Sequence, residues 1–362
     1  MLKLAAPIIA PSIAKLINYS FNTASFPQRW KTAKVFALFK GGDSEDLNNY
    51  RPISVLPVLS KVIERHVHDS LSSYLCENNL IYSKQSGFQK LHTTETALIR
   101  IIDDLLFNLD NDLNLTAKAF DMVDHVILQD KLYAYGLDNT SLTWFQSYLN
   151  DRRQFVSMSD KESTTSIIPH GVPQGSILGP LLFVLFINNL LLHVSSANTD
   201  LYADVTTLTC SIKLMDMHRL QTSLNAAVSE TVHWATANKL PLNEKKTKVL
   251  TICGKRLSNR SPNDIVISVN GSQLENIQCA KLLGLEIDKE LTFHLHVDKL
   301  YKKLSQRIGI LKKNRHCLQI KHMVIFYNAI IRPVMDYVSV IWSNCDKHCL
   351  DRVLKLQRGL QE

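Results

Sequence analysis

Residues 171–180 read Gly-Val-Pro-Gln-Gly-Ser-Ile-Leu-Gly-Pro, with three glycines and two prolines in ten positions directly before an apolar run. Such a segment is a rigid loop whose backbone can approach another molecule closely, and Gln174 stands in its middle. No Gly-Lys-Ser/Thr closes it, which excludes a phosphate-cradling nucleotidase loop. Ser176 lacks the Gly-x-Ser-x-Gly spacing of a nucleophile elbow, which excludes that route to acyl chemistry. A second group of reactive side chains is Cys345, His348 and Cys349, with His316 and Cys317 upstream. Their spacing fits no common pair-and-pair zinc pattern, so they are read as incidental thiols.

The elements that must position these residues follow from periodicity. Residues 1–23 read as a helix, packed as an entry helix because Pro7 and Pro11 break its apolar stretch. Residues 34–40 read as a strand, followed by a turn at Gly41-Gly42-Asp43. Apolar residues recur at helical spacing over 53–80 (Val58, Leu59, Val62, Ile63, Val67, Leu71, Leu75), and 94–109 reads as another helix. Two short helices are expected within 130–150, a strand over 154–159 and a buried helix over 181–192. A hairpin over 200–212, an amphipathic helix over 214–238 and strands at 248–252, 265–269 and 282–287 follow. From Phe293 onward the pattern is helical and basic, carrying Lys299, Lys302, Lys303, Arg307, Lys312, Lys313 and Arg315.

Bulk properties bound the classes. Of 362 residues 45% are apolar and 20% charged, ample for a large core. Glycine and proline, at 12 and 11, are too few for collagen or a mainly disordered chain. The net charge of +8 is compatible with a polyanionic partner. Seven scattered cysteines suit reduced thiols in a cytoplasmic or nuclear protein. The longest apolar run, 177–187, falls short of the ~20 residues of a spanning helix, so no membrane partner is expected.

The motifs, taken in order, resemble a known family. They are Phe26-Pro27 with Trp30-Lys31; Asn49-Tyr50-Arg51-Pro52-Ile53-Ser54; Gln85-Ser86-Gly87-Phe88; and Ala119-Phe120-Asp121 with Val123-Asp124-His125. Trp144-Phe145, Tyr148-Leu149 and Arg152-Arg153-Gln154 come next, then the 171–180 loop, Tyr202-Ala203-Asp204 and Leu242-Asn243 with Lys245 to Lys248. Leu282-Leu283-Gly284 and Ile331-Arg332-Pro333 with Tyr337 complete the set. The chain resembles the reverse transcriptase of non-LTR (LINE-type, jockey-like) retrotransposons over about residues 25–345. The resemblance implies an α+β right-hand polymerase: an N-terminal helix (1–24), fingers (25–110), a palm with a mixed sheet (111–290, with a fingers insertion at about 126–165) and a helical, truncated thumb (291–362). The implied partners are an RNA template and a DNA primer held through phosphate contacts. No endonuclease-like region is read before residue 25 and no zinc module after 345, so unaided transposition is not expected.

The same resemblance assigns roles. Arg51 and Lys40 would hold the incoming triphosphate, unless they are plain surface cations. Phe120 would be the aromatic gate against a ribose 2′-hydroxyl, or a core residue. Gln174 and Gly175 would lie under the nascent base pair, Lys246 would approach the triphosphate, and Leu282-Leu283-Gly284 would steady the primer. His125 with Asp124 reads as a satisfied polar pair.

Catalysis in the family implies two Mg²⁺ ions on convergent carboxylates. Asp204 is one of these. Val205 follows it where a second Asp belongs, and Leu115 stands six residues before Asp121 where a third belongs; allowing for an insertion at Ala117, Asn114 takes that place. Residues 107–116 are also too rich in Asn and Asp for a buried strand, so the palm strand is expected to be lost to a small deletion. Val205, β-branched, is unsuited to a positive-φ turn. The expectation is a polymerase core that binds nucleic acid, binds Mg²⁺ weakly or not at all, and is inactive. The alternatives are an active enzyme completed by Asp110 or Asp112, or a co-opted RNA-binding protein.

Overall fold

Prolines at 7 and 11 do not stop the first helix. In the computed structural model, which describes residues 2–109, 112–117, 124–158, 161–213, 217–240, 242–244, 246–253 and 265–358, α1 runs through both (Leu2–Asn22). They lie four residues apart and hence on one face, so the backbone bonds they remove fall on one side of a long helix. Only the C-terminal end of α1 is packed, where buried Ser20 accepts the Trp144 Nε1–H at 3.0 Å; Leu4 and Ile8 are 85% and 81% exposed. Among the described residues, only the stretch Leu4–Asn22 is long and apolar enough to cross a membrane by length and composition.

The chain continues through β1 (Thr32–Phe39), β2 (Tyr50–Val55), α2 (Val58–Glu77), α3 (Thr94–Leu109), β3 (Asp112–Ala117), α4 (His125–Ala134), α5 (Asn139–Leu149), β4 (Arg153–Met158), β5 (Lys161–Glu162) and β6 (Ser166–Ile167). Then come α6 (Leu178–Ile187), α7 (Leu190–His193), the hairpin β7 (Asn198–Tyr202) and β8 (Val205–Lys213), α8 (Met217–Ala237) and β9 (Lys248–Ile252). Short strands β10 (Ser268–Val269), β11 (Ser272–Gln273) and β12 (Glu275–Ile277) lead to the hairpin β13 (Cys279–Leu282) and β14 (Leu285–Asp288). Helices α9 (His294–Asn314), α10 (Ile320–Phe326), α11 (Arg332–Asp336), α12 (Ser339–Trp342) and α13 (Lys347–Arg358) close the chain. The mixed α and β content is that of an α+β protein.

The described residues form two compact units, each interrupted in sequence. The first draws on Met1–Phe88, Phe120–His193 and His233–Leu242. Its sheet has the order β2-β1-β4, with β5 and β6 both paired to β4. β1 and β4 run parallel, Thr32 opposite Arg153. Behind them Phe26, Trp144 and Tyr148 are buried, and the guanidinium of Arg152 stacks 4.1 Å over the Tyr148 ring. Here α6, apolar all round, is buried on nearly every residue.

The second unit draws on Gln89–Ala119, Val194–Val232 and Asn243–Glu362. Its five-stranded sheet has the order β12-β9-β3-β8-β7. Leu98, Ile101, Ile102 and Leu105 of α3 share a core with Leu250 and Ile252 of β9. Val297, Leu300, Leu304, Ile308 and Leu311 of α9 join it, at the three- and four-residue spacing of a single helical face. The expectation that the polar stretch before Asp121 is no longer a strand is overturned. β3 lies in the middle of this sheet, antiparallel to β8 on one side and to β9 on the other. The β8 ladder runs its whole length and the β9 ladder covers residues 114–116, and that pairing overrides the poor strand propensity of Asp and Asn.

Candidate active site

In the first unit the β1–β2 hairpin carries the two candidate triphosphate cations. Leu38 faces Arg51 across the ladder, and the Lys40 N–H donates to the Asn49 carbonyl at 2.8 Å. Lys40 and Arg51 therefore sit diagonally on one face of the hairpin, both exposed. Periodicity alone predicts a helix from residue 53. Here residues 50–55 are strand, and the helix begins after Pro57.

The 171–180 loop docks onto this hairpin. The Ser54 N–H donates to the Gln174 carbonyl at 2.7 Å. A Cβ on Gly175, which has φ +130°, would fall 2.2 Å from the Ser54 carbonyl oxygen, so glycine is required there. The Ser176 hydroxyl bonds Pro173 O at 3.0 Å and accepts Gly179 N–H at 2.9 Å. Glu64, wholly buried, anchors the loop from α2. It takes the Ser60 hydroxyl at 2.6 Å and the Ile177 N–H at 2.7 Å, the latter at the start of α6. An acid is stabilised there by the unpaired N–H groups and positive end of the helix. Gln174 and Gly175 remain exposed above it.

His125 and Asp124 are satisfied, but not by each other. His125 Nε2 bonds Gly171 O at 2.6 Å, steadying the far end of the loop. Asp124 caps α4 through the Val126 and Ile127 N–H groups and takes Lys239 Nζ at 3.2 Å. Desolvation opposes its charge, yet those backbone and lysine partners outweigh it and hold the carboxyl below its usual range. Phe120 lies outside the described residues.

In the second unit β7 and β8 meet in a two-residue turn, Ala203-Asp204, with Tyr202 paired to Val205. Ala203 takes the left-handed conformation at φ +52° and is buried; Asp204 is exposed at the tip. Val205 does not take the turn position expected of it. It is the first residue of β8, not a turn residue, and a β-branched side chain suits a strand. Lys246 is exposed in the turn before β9, its N–H held by Asn243 at 3.1 Å.

The β13–β14 hairpin turns through Leu283 and Gly284, both at positive φ (46° and 97°), the pattern of a type I′ turn. The Tyr337 hydroxyl donates to the Leu283 carbonyl, and its ring lies 3.3 Å from where a Gly284 Cβ would be. Tyr202 senses the same residue: burial first, then the neighbouring Tyr337 phenol, push its hydroxyl pKa up. Tyr337 thus bonds the Leu283-Gly284 turn and acts electrostatically on Tyr202, the residue before the Asp204 turn. Sequence reasoning left Tyr337, Glu64 and the Arg100–Asp200 pair (2.8 Å, Asp200 buried) without roles.

Two divalent ions would need several converging carboxylate oxygens. Asp204 is the one acidic residue between Leu201 and Thr209. Leu115 is paired with Cys210, six residues along β8 from Asp204, a separation of about 20 Å at ~3.3 Å per residue. Asp112, offered as a substitute, is paired with Lys213, nine residues from Asp204, about 30 Å by the same measure. This register does not bring it to the turn. Asp110 lies outside the described residues. Among the described residues the donor set does not fit a pair of magnesium ions.

The family "Reverse transcriptase (RNA-dependent DNA polymerase)" matches residues 40–287. The chain is 28% identical over 364 residues to the RNA-directed DNA polymerase from mobile element jockey of Drosophila melanogaster, covering 95% of this chain and 39% of that protein. It is 29% identical to the probable RNA-directed DNA polymerases from transposon BS and from transposon X-element of the same fly, with the same coverage. The chain thus spans about two fifths of the length of these relatives. A telomerase structure from Candida tropicalis, truncated from its C-terminal domain, aligns with TM-score 0.47 and 12% identity over 73% of this chain and 54% of that one. The match covers most of the chain and takes in the Arg51 hairpin, the 171–180 loop and the Asp204 turn. The chain belongs to the reverse transcriptase family, in its non-LTR, LINE-type branch.

Proposed function

We propose that this chain is a reverse transcriptase core that grips an RNA template and a DNA primer without extending the primer. The reading rests on one observation: Val205 beside Asp204 leaves a single carboxylate at the hairpin turn, while Leu115 is apolar and paired far along β8. Mg²⁺, a hard ion that needs an oxygen-rich shell, is then held weakly or not at all. The parts that position nucleic acid are retained. Lys40 and Arg51 offer two cations on one hairpin face. Gln174 and Gly175 lie exposed on a loop fastened by Ser54 and Glu64. Phe120 and Lys246 keep their family roles at the nucleotide, and the basic helices from residue 291 contact backbone phosphates as a thumb.

The test is primer extension on poly(rA)/oligo(dT) with Mg²⁺ or Mn²⁺, beside binding of the same hybrid at increasing salt. The expected result is no synthesis together with binding that weakens log-linearly with salt. Robust synthesis by the unaltered chain overturns the inactivity, and absence of salt-dependent binding overturns the grip. Restoring Asp at 115 and 205 together is expected to recover little, because position 115 faces Cys210 rather than the turn.

A further inference from the structure

Helices α9 and α13 meet at their N-terminal ends. His294 is the first residue of α9, Asp346 immediately precedes α13, and Cys349 lies in its first turn. One Asp346 oxygen accepts the Cys349 N–H at 2.9 Å, the usual office of a helix cap; the other contacts His294 Nε2. A ligand atom from each of His294, Asp346 and Cys349 lies within 4.8 Å of the other two. Capping explains the aspartate and its pairing with the histidine. The thiol of Cys349, on a buried residue, faces the same carboxylate and adds a third donor of another kind.

Imidazole nitrogen, carboxylate oxygen and thiolate sulfur are the donor set of zinc, a borderline-soft ion. Zinc with bonds of about 2.0–2.3 Å places tetrahedral ligand atoms roughly 3.3–3.8 Å apart, so the His294–Asp346 contact would open to admit the ion while separations of up to 4.8 Å would close. Charge balances as well: Zn²⁺ with one carboxylate, one thiolate and a neutral imidazole sums to zero, and the Cys349 proton leaves to solvent. His294 and Asp346 are about half exposed, which leaves a path of entry. One turn further along both helices the scaffold is already fixed: Arg352 bonds Asp298 at 2.7 Å and lies 4.7 Å over the Tyr301 ring.

We propose that His294, Asp346 and Cys349 bind one zinc ion, with water in the fourth position, that fastens α9 to α13. Of the cysteines read as incidental, Cys349 alone takes a ligand role. Sequence spacing does not reveal this trio, because His294 lies more than fifty residues upstream and the third ligand is an aspartate.

The test is Co²⁺ titration of the reduced full chain, followed by displacement with Zn²⁺. The expected result is one Co²⁺ per chain with a thiolate-to-cobalt charge-transfer band that zinc abolishes. The band is lost in Cys349→Ser and in His294→Gln, and persists in Cys345→Ser. Zinc raises the melting temperature of the unaltered chain but not of Cys349→Ser, a comparison that also shows whether the variant folds. Absence of the band in the unaltered chain, its survival in folded Cys349→Ser, or equal zinc effects on both melts overturns the proposal.

Discussion

The guanidinium of Arg100 stands 2.8 Å from the carboxylate of Asp200, whose side chain is 3% exposed. One helical turn on, Asp104 accepts from the Asn198 side-chain amide at 3.3 Å. Four helical residues rise about 6 Å and two strand residues about 6.6 Å, so both contacts are met by one alignment of α3 along β7. That strand runs directly into the Asp204 turn, so α3 sets where the turn stands relative to the rest of its sheet.

Removing half of this pair strands a buried charge. Arg100→Met is expected to cost about 3–5 kcal/mol, and Arg100→Met with Asp200→Leu markedly less, because the double change leaves no unpaired ion. Urea denaturation of the two variants measures the difference. Equal losses would show that the pair matters only through packing.

Gly175→Ala is expected to free the 171–180 loop from Ser54, since the new methyl would meet a backbone oxygen and the φ is unfavourable. The loss is about 2 kcal/mol or more. Gly171→Ala is the control. It shares a positive φ (+79°) but meets nothing within 4 Å, so it loses only the conformational part, about 1 kcal/mol. Thermal unfolding of both variants separates clash from strain.

Lys131 is half-buried between the Phe186 and Trp234 rings, its Nζ 4.3 and 4.8 Å from their centroids, and it donates to Asn189 Oδ1 at 2.8 Å. The rings favour the ammonium, but burial outweighs them and lowers its pKa to about 7. An unfolded lysine titrates near 10.4, so between about pH 7 and 10 the unfolded chain holds the extra proton and stability rises with pH. Lys131→Met should flatten that rise. Urea midpoints at pH 7, 8 and 9 for both proteins check it, and parallel curves would refute the assignment.

Tyr337→Phe deletes the hydroxyl bonded to Leu283 and the phenol beside Tyr202. A stability loss of about 1 kcal/mol is expected. The Tyr202 phenol should titrate lower than in the unaltered chain, yet still above its ordinary value, because burial is the larger cause. Ultraviolet pH titration of the two proteins reads the change.

Much of this architecture was legible from spacing alone. The helix over 94–109 coincides with α3, and the hairpin over 200–212 is β7 with β8, because both have strong periodicity and clear turn signals. β2 was hidden because apolar residues at 53, 58, 59 and 62 fit a helix as readily as a strand followed by one. β3 was hidden because pairing on both edges leaves no trace in its own residues. Within the site, glycine and proline revealed the loop at 171–180. What holds it could not be read, since Ser54 and Glu64 lie more than a hundred residues upstream and an acid in an apolar helix reads only as a solvated position.

Strand β3 is central in the finished sheet, yet its partners β8 and β9 are made long after it. At a synthesis rate of 5–20 residues per second it waits roughly five to twenty seconds beside the ribosome with both edges bare. An unaccompanied strand of valine and isoleucine would be a template for aggregation over that interval. Asp112 and Asn114, poor strand formers in isolation, make β3 a weaker template than such a strand.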